Sequence, residues 1–326
     1  MASLLNHSGG ALMDRFTPQR DYSLEYLTIE SLADSNTVSI RNKNCNTLPT
    51  FYYSTDGGST WSSITAVKSQ TKTVVTINSG DTVLFKCTQA SLATDWDNYN
   101  GFQCSKDYIV YGNAMSLIWG DNFVSNSEFA SNSICNLTAL FRDDTHIRDA
   151  SNLILPAMTV MFRSYNGFFR GCTNLKTAPK LPATTFRTST VSAGVTGENY
   201  SSMFEGCINL EEAPELPATN LVAFCYYRMF CMNRNSKITT PKMTKSPVLP
   251  ASVVTTSAYE EMFKGNGNLV EVTCLATDIS ASNAVKDWLR NCSSTGTFNK
   301  ASSMSSWPSG TSGIPSGWTV EDYQET

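Results

Sequence analysis

Residues 200–218 read YSSMFEGCINLEEAPELPA, and variants of this stretch recur through the middle of the chain. Five phenylalanines each precede a short polar turn: Phe141, Phe169, Phe204, Phe230 and Phe263. A leucine element, usually Leu-Pro-Ala, follows them after 14, 12, 12, 19 and 12 residues, and the usual step to the next phenylalanine is 14 residues. The resulting period of about 26 residues, lengthened in places by insertions, predicts a solenoid of stacked repeats.

The first half of each repeat has the apolar spacing of a short helix. Tyr200, Met203, Phe204 and Cys207 stand at positions i, i+3, i+4 and i+7, which lie on one helical face. The prolines in the second half argue against a long central strand there. We therefore expect a short helix followed by a short extended segment in each unit. One such unit cannot bury its own apolar face, so the units must stack.

The repeats resemble a known family. Residues 165–175, YNGFFRGCTNL, and residues 200–218 are similar to BspA-like leucine-rich repeats, whose pattern is MF-x-GC-x-x-L followed by P-x-LPAT. The similarity covers about 145 of the 326 residues. Two units depart from the pattern, because Phe230 is followed by Cys231 and Met232, and Gly265 is followed by Asn266 instead of cysteine.

The tail also resembles this family. Residues 295–320 are similar to the segment that closes such arrays in proteins of gut Bacteroidetes and of their phages, including the crAss-like phages. The resemblance implies either a phage virion protein or an exported bacterial surface protein. In both cases we expect the repeat domain to bind partners.

Together, the residue pattern and the resemblance predict a mainly β fold with short helices, of the α+β class. We expect four parts: an N-terminal arm over 1–22, a β-sandwich over 23–120, a leucine-rich-repeat-like solenoid over 121–280, and a C-terminal helix with an irregular cap over 281–326.

Within these parts, some elements are predicted individually. About eight short strands fill the β-sandwich, the last of them at Met115–Trp119, and a polar loop at Asp95–Asn100 interrupts it. Residues 284–291 have the pattern of a short amphipathic helix. The arm is either a disordered tail or a segment that orders on a neighbouring subunit.

Charge and the amino terminus restrict the function. The net charge is −4 with no basic run, which argues against nucleic acid as a partner. The first residues lack the basic and apolar regions of a signal peptide, and no apolar run is long enough for a membrane span. A phage protein that is assembled in the host cytoplasm and released by lysis needs neither feature, so we expect a virion location. A bacterial cell-surface location is the alternative.

The ten cysteines are expected to be reduced and structural. Cys172 and Cys207 occupy the same repeat position, so they should form a column of buried thiols. The even count leaves disulfides open as an alternative. No C-x-x-C pair occurs, which argues against a zinc site.

Few residues suggest catalysis. Residues 54–61, STDGGSTW, match the Asp-box hairpin that occurs repeatedly in sialidases, but a single copy favours a structural turn over a glycosidase. The histidines, His7 and His146, form no recognisable triad, and no phosphate-binding loop is present. Paired carboxylates at 143–144, 211–212 and 260–261 could support glycoside chemistry, although solvated charge is the simpler interpretation. We therefore predict no catalytic residue and no cofactor.

Several features point instead to binding. Phe224, Tyr227, Trp96 and Tyr99 are candidates for a ligand surface, with core packing as the alternative. The carboxylates in the Asp95–Asp97 loop could hold calcium or form a plain polar loop. Insertions at 187–198 and 235–247 could form binding loops or neutral spacers.

These features lead to a functional hypothesis with an alternative. The first is a non-enzymatic phage structural protein, associated with the capsid or the tail. Its arm and β-domain would contact other virion proteins, and its solenoid would bind host-surface or mucosal glycans or proteins. The alternative is a bacterial surface adhesin with the same repeats. A homo-oligomer is compatible with both, and a glycan-active enzyme is the weakest reading.

Overall fold

The computed structural model describes residues 20–189, 197–232 and 240–324. The fold is mainly β with a single short α-helix among these residues, and about six turns form a β-solenoid-like arrangement. The predicted arm over 1–22 lies almost wholly outside the described residues. The strands are β1 Leu27–Ser31, β2 Asn36–Lys43, β3 Thr50–Ser54, β4 Ser62–Thr65, β5 Thr71–Ile77, β6 Thr82–Lys86, β7 Tyr99–Cys104, β8 Tyr108–Asn113, β9 Ile147–Asp149, β10 Leu153–Ile154, β11 Thr159–Val160, β12 Thr185–Phe186, β13 Lys245–Leu249, β14 Glu271–Cys274, β15 Gly296–Lys300 and β16 Trp318–Asp322.

The first eight strands form two sheets. In one sheet the order is β10-β8-β1-β6-β3-β4, with β9 also paired to β8, and in the other it is β5-β2-β7. The rings of Phe51 and Phe85 lie 5.6 and 4.6 Å from the ring of Phe102 on β7, so buried aromatic residues from both sheets meet. Alternating apolar residues explain this arrangement, because a strand presents successive side chains to opposite faces.

Two predictions for this region are wrong. Residues Ser116–Trp119 form the short helix α1, not a strand. Short apolar runs do not distinguish a buried strand from a buried helix. Strand β7 begins at Tyr99, inside the predicted Asp95–Asn100 loop. The sequence does not predict this strand, because Asn100, Gly101 and Gln103 interrupt its apolar pattern.

The N-terminal sheets continue directly into the solenoid. Strands β9 and β10 of the first solenoid turn pair in parallel with β8. On the other side, the Phe102 amide donates to the Leu140 carbonyl at 2.7 Å. Gly101 allows this approach, because a Cβ there would stand 2.6 Å from the Leu140 carbonyl oxygen. One hydrophobic cluster therefore extends from Leu27 to Trp318.

The predicted repeat helices are absent, and each is replaced by a series of tight turns. Within the second repeat the Phe168 amide donates to the Tyr165 carbonyl, three residues back, whereas the Phe169 amide donates to Met203 in the next repeat. An α-helix would instead use the carbonyl four residues back at every position. Positive φ angles recur every fourth residue at 163, 167 and 171, and again at 198, 202 and 206. The repeat therefore has a four-residue backbone period. A short apolar pattern cannot distinguish this period from the 3.6-residue period of an α-helix.

We call these runs the turn segments; their approximate ranges are 135–143, 163–171, 198–206, 224–232, 257–265 and 283–291. The last range corrects the predicted C-terminal helix. The Phe263 amide donates to the Trp288 carbonyl at 3.0 Å, so residues 283–291 form a sixth turn segment stacked on the fifth. The repeats consequently extend beyond residue 280, and the Trp307 ring covers the Trp288 ring at 5.5 Å.

Stacked aromatic rings form the centre of the solenoid. The predicted phenylalanines follow one another at centroid distances of 5.7, 5.6, 5.6 and 5.6 Å, with nearly parallel ring planes. A second column runs through Tyr165, Tyr200, Tyr226 and Tyr259. All nine side chains are buried. Burial of such rings contributes several kcal/mol each, so the two columns dominate the stability of the stack.

Candidate functional site

The predicted aromatic surface is only partly a surface. Phe224 and Tyr227 are half-buried on the fourth turn segment, with ring centroids 5.5 Å apart, and the Arg228 guanidinium lies 4.7 Å from the Tyr227 ring. Trp96 is 43% exposed beside Arg142 of the first turn segment. Tyr99, by contrast, is fully buried and its hydroxyl accepts a hydrogen bond from Arg41 at 2.8 Å. Tyr99 therefore cannot contact a ligand.

The Asp95–Asp97 loop satisfies its own carboxylates. Both carboxylate oxygens of Asp95 accept hydrogen bonds from Asn98, at 2.8 to 2.9 Å. Asp97 faces Lys43 and Arg142 at 3.6 and 3.4 Å. These contacts fit the polar-loop interpretation, and no cluster of three or more metal-binding side chains occurs within the described residues.

The Asp-box residues build a hairpin turn between β3 and β4. Asp56 accepts hydrogen bonds from the Thr60 hydroxyl at 2.6 Å, the Thr60 amide at 2.9 Å and the Ser54 hydroxyl at 2.7 Å. These donors lower the pKa of Asp56 to about 2. Trp61 packs against Tyr26, with Lys86 4.0 Å from its ring. Each group thus has a structural role in the turn, as the single motif copy suggested.

Two of the predicted carboxylate pairs are held by hydrogen bonds or ion pairs within the protein. Asp144 is buried and accepts hydrogen bonds from the Cys104 amide and the Tyr108 hydroxyl, although burial raises its pKa. His146 lies beside it, with its ring nitrogen 3.5 Å from the carboxylate. Glu260 and Glu261 are largely buried and pair with cations of neighbouring turns.

All ten cysteines are buried, and none of them forms a disulfide. The Cys172 thiol donates to the Phe141 carbonyl at 3.0 Å, and the Cys207 thiol to the Phe169 carbonyl at 3.1 Å. The predicted cysteine column is therefore a set of inter-turn hydrogen bonds. Burial raises the pKa of both thiols, which disfavours the reactive thiolate.

Charges on the turn segments form a ladder of ion pairs. Arg163 pairs with Glu198 at 2.8 Å, and Arg170 with Glu205 at 3.3 Å, in each case across adjacent turns. Further along, Glu261 pairs with Arg228 at 2.5 Å and with Lys264 at 2.6 Å. Charges on this side of the solenoid thus compensate one another.

A groove opens elsewhere, between the extended segments of the second and third turns. We call it the proline-lined groove; its two sides are residues 176–182 and 211–217, and its volume is about 670 Å³. The Glu211 amide donates to the Lys176 carbonyl at 3.0 Å, but no backbone hydrogen bond joins 178–183 to 212–218. Prolines explain the gap, since they lack the amide hydrogen that a ladder needs.

The groove has an apolar floor and a charged rim. Prolines 179, 182, 214 and 217 line it together with two alanines. Lys176 and Lys180 are exposed on one side, and three exposed glutamates lie on the other, at 211, 212 and 215. None of these five charges has an ion-pair partner in the part of the chain that is described. The hydroxyl oxygen of Thr177 is buried at the groove without a hydrogen-bond partner.

Sequence reasoning missed this groove. The sequence pattern alone predicts only solvated charge for the glutamate pair at 211–212. The lysine-containing segment 176–182 and the glutamate-containing segment 211–217 become neighbours only when the repeats stack. The sequence of one repeat does not show this. A signal was nevertheless present, because the A-P-x-L-P-A element occurs in two consecutive repeats at 178–183 and 213–218.

No protein family, no curated protein and no solved structure is found to match this chain. The described residues also include no helix long and apolar enough to cross a bilayer. Parts of both predicted insertions, residues 190–196 and 235–239, lie outside the described residues.

Proposed function

We propose that this chain is a non-enzymatic attachment protein of a phage particle. In this proposal the N-terminal sheets bind other virion proteins, and the solenoid presents the proline-lined groove to host-surface or mucosal glycans or proteins. The observation that supports attachment is the groove itself. It combines an apolar floor with five unpaired charges, whereas charges on the turn segments are paired.

Two finer statements about the fold belong to this proposal. We take the N-terminal sheets to be a β-sandwich, because their buried aromatic residues meet at Phe102. We take the repeats to be BspA-like, because the stacked phenylalanines and the hydrogen-bonded thiols occupy the positions of that pattern. The virion location rests on the resemblance of the sequence alone.

The experiment compares binding of the purified chain to host-cell envelopes and to immobilised mucin. The triple variant Glu211→Gln, Glu212→Gln and Glu215→Gln removes the acidic side of the groove without changing its shape. Glu321→Gln, an exposed carboxylate on β16, is the matched control. We expect the triple variant to lose most binding and the control to retain it.

Equal binding by all three proteins would contradict attachment through the groove. Mass spectrometry of purified particles and of host envelopes then tests the location. Detection of the chain in particles supports the virion proposal, and detection only in envelopes replaces it with a bacterial adhesin.

A further inference from the structure

The floor of the proline-lined groove contains no aromatic ring. Its apolar surface consists of the proline rings, the side chains of Ala178 and Ala213, and Leu181. Proline rings present their C–H groups, which pack favourably on the negative face of an aromatic ring. Aromatic-lined grooves bind proline-rich peptides through the same contact. Here the protein supplies the prolines, so the complementary ligand must supply the aromatic ring.

The rim of the groove determines the charge of the ligand. Three carboxylates stand against two ammonium groups, and the carboxylates lie together on the side formed by 211–217. Unpaired surface charges of one sign attract a ligand of the opposite sign and orient it. Basic side chains on the ligand would therefore lie along this side.

The backbone of the groove favours an extended ligand. Residues 178–183 and 212–218 run beside each other without a connecting hydrogen bond, so their carbonyls remain available to the amides of a peptide. A neutral glycan would find no ring to stack on and would leave the five charges without counter-charges.

We propose that the proline-lined groove binds an extended peptide in which aromatic side chains alternate with basic ones. This inference rests on the proposed attachment function and specifies the chemistry of its ligand. Its occupant is a protein segment of the surface to which the chain attaches. A glycan occupant is the competing outcome.

The test uses calorimetric titration of the full chain with a pentapeptide of alternating lysine and tryptophan. A second peptide replaces tryptophan with leucine, and a third replaces lysine with glutamate. The triple glutamine variant at 211, 212 and 215, the double variant Pro182→Ala with Pro217→Ala, and the control Glu321→Gln are titrated in parallel. Thermal unfolding of each variant checks that it is folded.

We expect the Lys-Trp peptide to bind the wild type and the control equally. The triple variant should bind it about tenfold more weakly, since each exposed charge contributes modestly and the three act together. This loss should shrink at 1 M salt, where the charges are screened. The double proline variant and the leucine peptide should also show weaker binding, and the glutamate peptide should not bind.

Three results would overturn the inference. Equal affinity of the wild type and the triple variant would place the peptide elsewhere. Equal affinity for the leucine peptide would remove the role of the aromatic ring. Binding of mucin glycans that is lost in the triple variant, without any peptide binding, would reject the peptide and retain attachment. If neither peptide nor glycan depends on the groove, both proposals fail.

Discussion

Two regions of the same solenoid stack on the same aromatic columns but differ at their edges. Between residues 176 and 218, consecutive extended segments are separated by the proline-lined groove. From residue 245 to residue 322, the corresponding segments form the four-stranded parallel sheet β13-β14-β15-β16. Segments 271–274 and 296–300 contain no proline. A groove or a sheet therefore results from the same stack, according to whether proline interrupts the ladder.

Strand β13 is an instructive intermediate. It contains Pro247, and its register with β14 shifts between Lys245 and Val248. A single proline on this strand is thus accommodated by a bulge, which is where sheets tolerate proline. Pro250 follows the strand directly, so this repeat carries the same two prolines as each groove repeat, but its partner strand β14 carries none. In the groove both neighbouring segments carry two prolines, and the segments separate.

The largest expected effect tests whether the two regions share one core. Phe204→Ala lies beneath the groove region and Phe263→Ala beneath the sheet region, and both side chains are fully buried in one column. Each substitution should lower the free energy of unfolding by about 3–5 kcal/mol, because it removes a ring and leaves a cavity. Urea unfolding measures this. A cost below about 1 kcal/mol at either site would show that the column is not continuous.

The next effect tests the role of proline directly. Thr273→Pro on the central strand β14 removes an amide that donates to the Ser246 hydroxyl at 3.0 Å. It should destabilise the protein by about 3 kcal/mol or more. Lys180→Pro in the groove is the matched control, since its amide takes part in no backbone hydrogen bond. Equal destabilisation at both positions would contradict the comparison.

The smallest effect concerns the ion pairs that both regions carry on their turn segments. Burial opposes ionisation of Glu261, but hydrogen bonds from Lys264 and Arg228 outweigh it and lower its pKa. Its contribution to stability is therefore present above its unfolded pKa of about 4.5 and is lost as pH falls through the lower, folded value. Glu261→Gln should remove about 2 kcal/mol at pH 7, because the charge-assisted hydrogen bonds from Arg228 and Lys264 are largely buried. Acid titrations of unfolding should show a weaker pH dependence in the variant. An unchanged profile would mean that the pair is not formed.

The sequence predicts the side-chain positions of the solenoid better than its backbone. Phe169, Phe204, Cys172 and Cys207 fall into the predicted columns because buried positions repeat with the period of the stack. The turn segments do not form the predicted helices. Over only eight residues, apolar side chains that repeat with a four-residue period give nearly the same pattern as one face of an α-helix. The groove was missed because its charges belong to different repeats, so only the stacking register shows that they are neighbours.

Hydrogen exchange is the most direct test of the central claim. The account predicts slow exchange of the amides in β14 and β15, which lie inside the sheet, and fast exchange at Lys180 and Glu215, although the leucines next to them are buried in the same core. Mass spectrometry of peptides covering 178–183, 212–218, 271–274 and 296–300 measures both regions in one sample. Equal protection of all four segments would contradict the claim that proline separates a groove from a sheet within one stack.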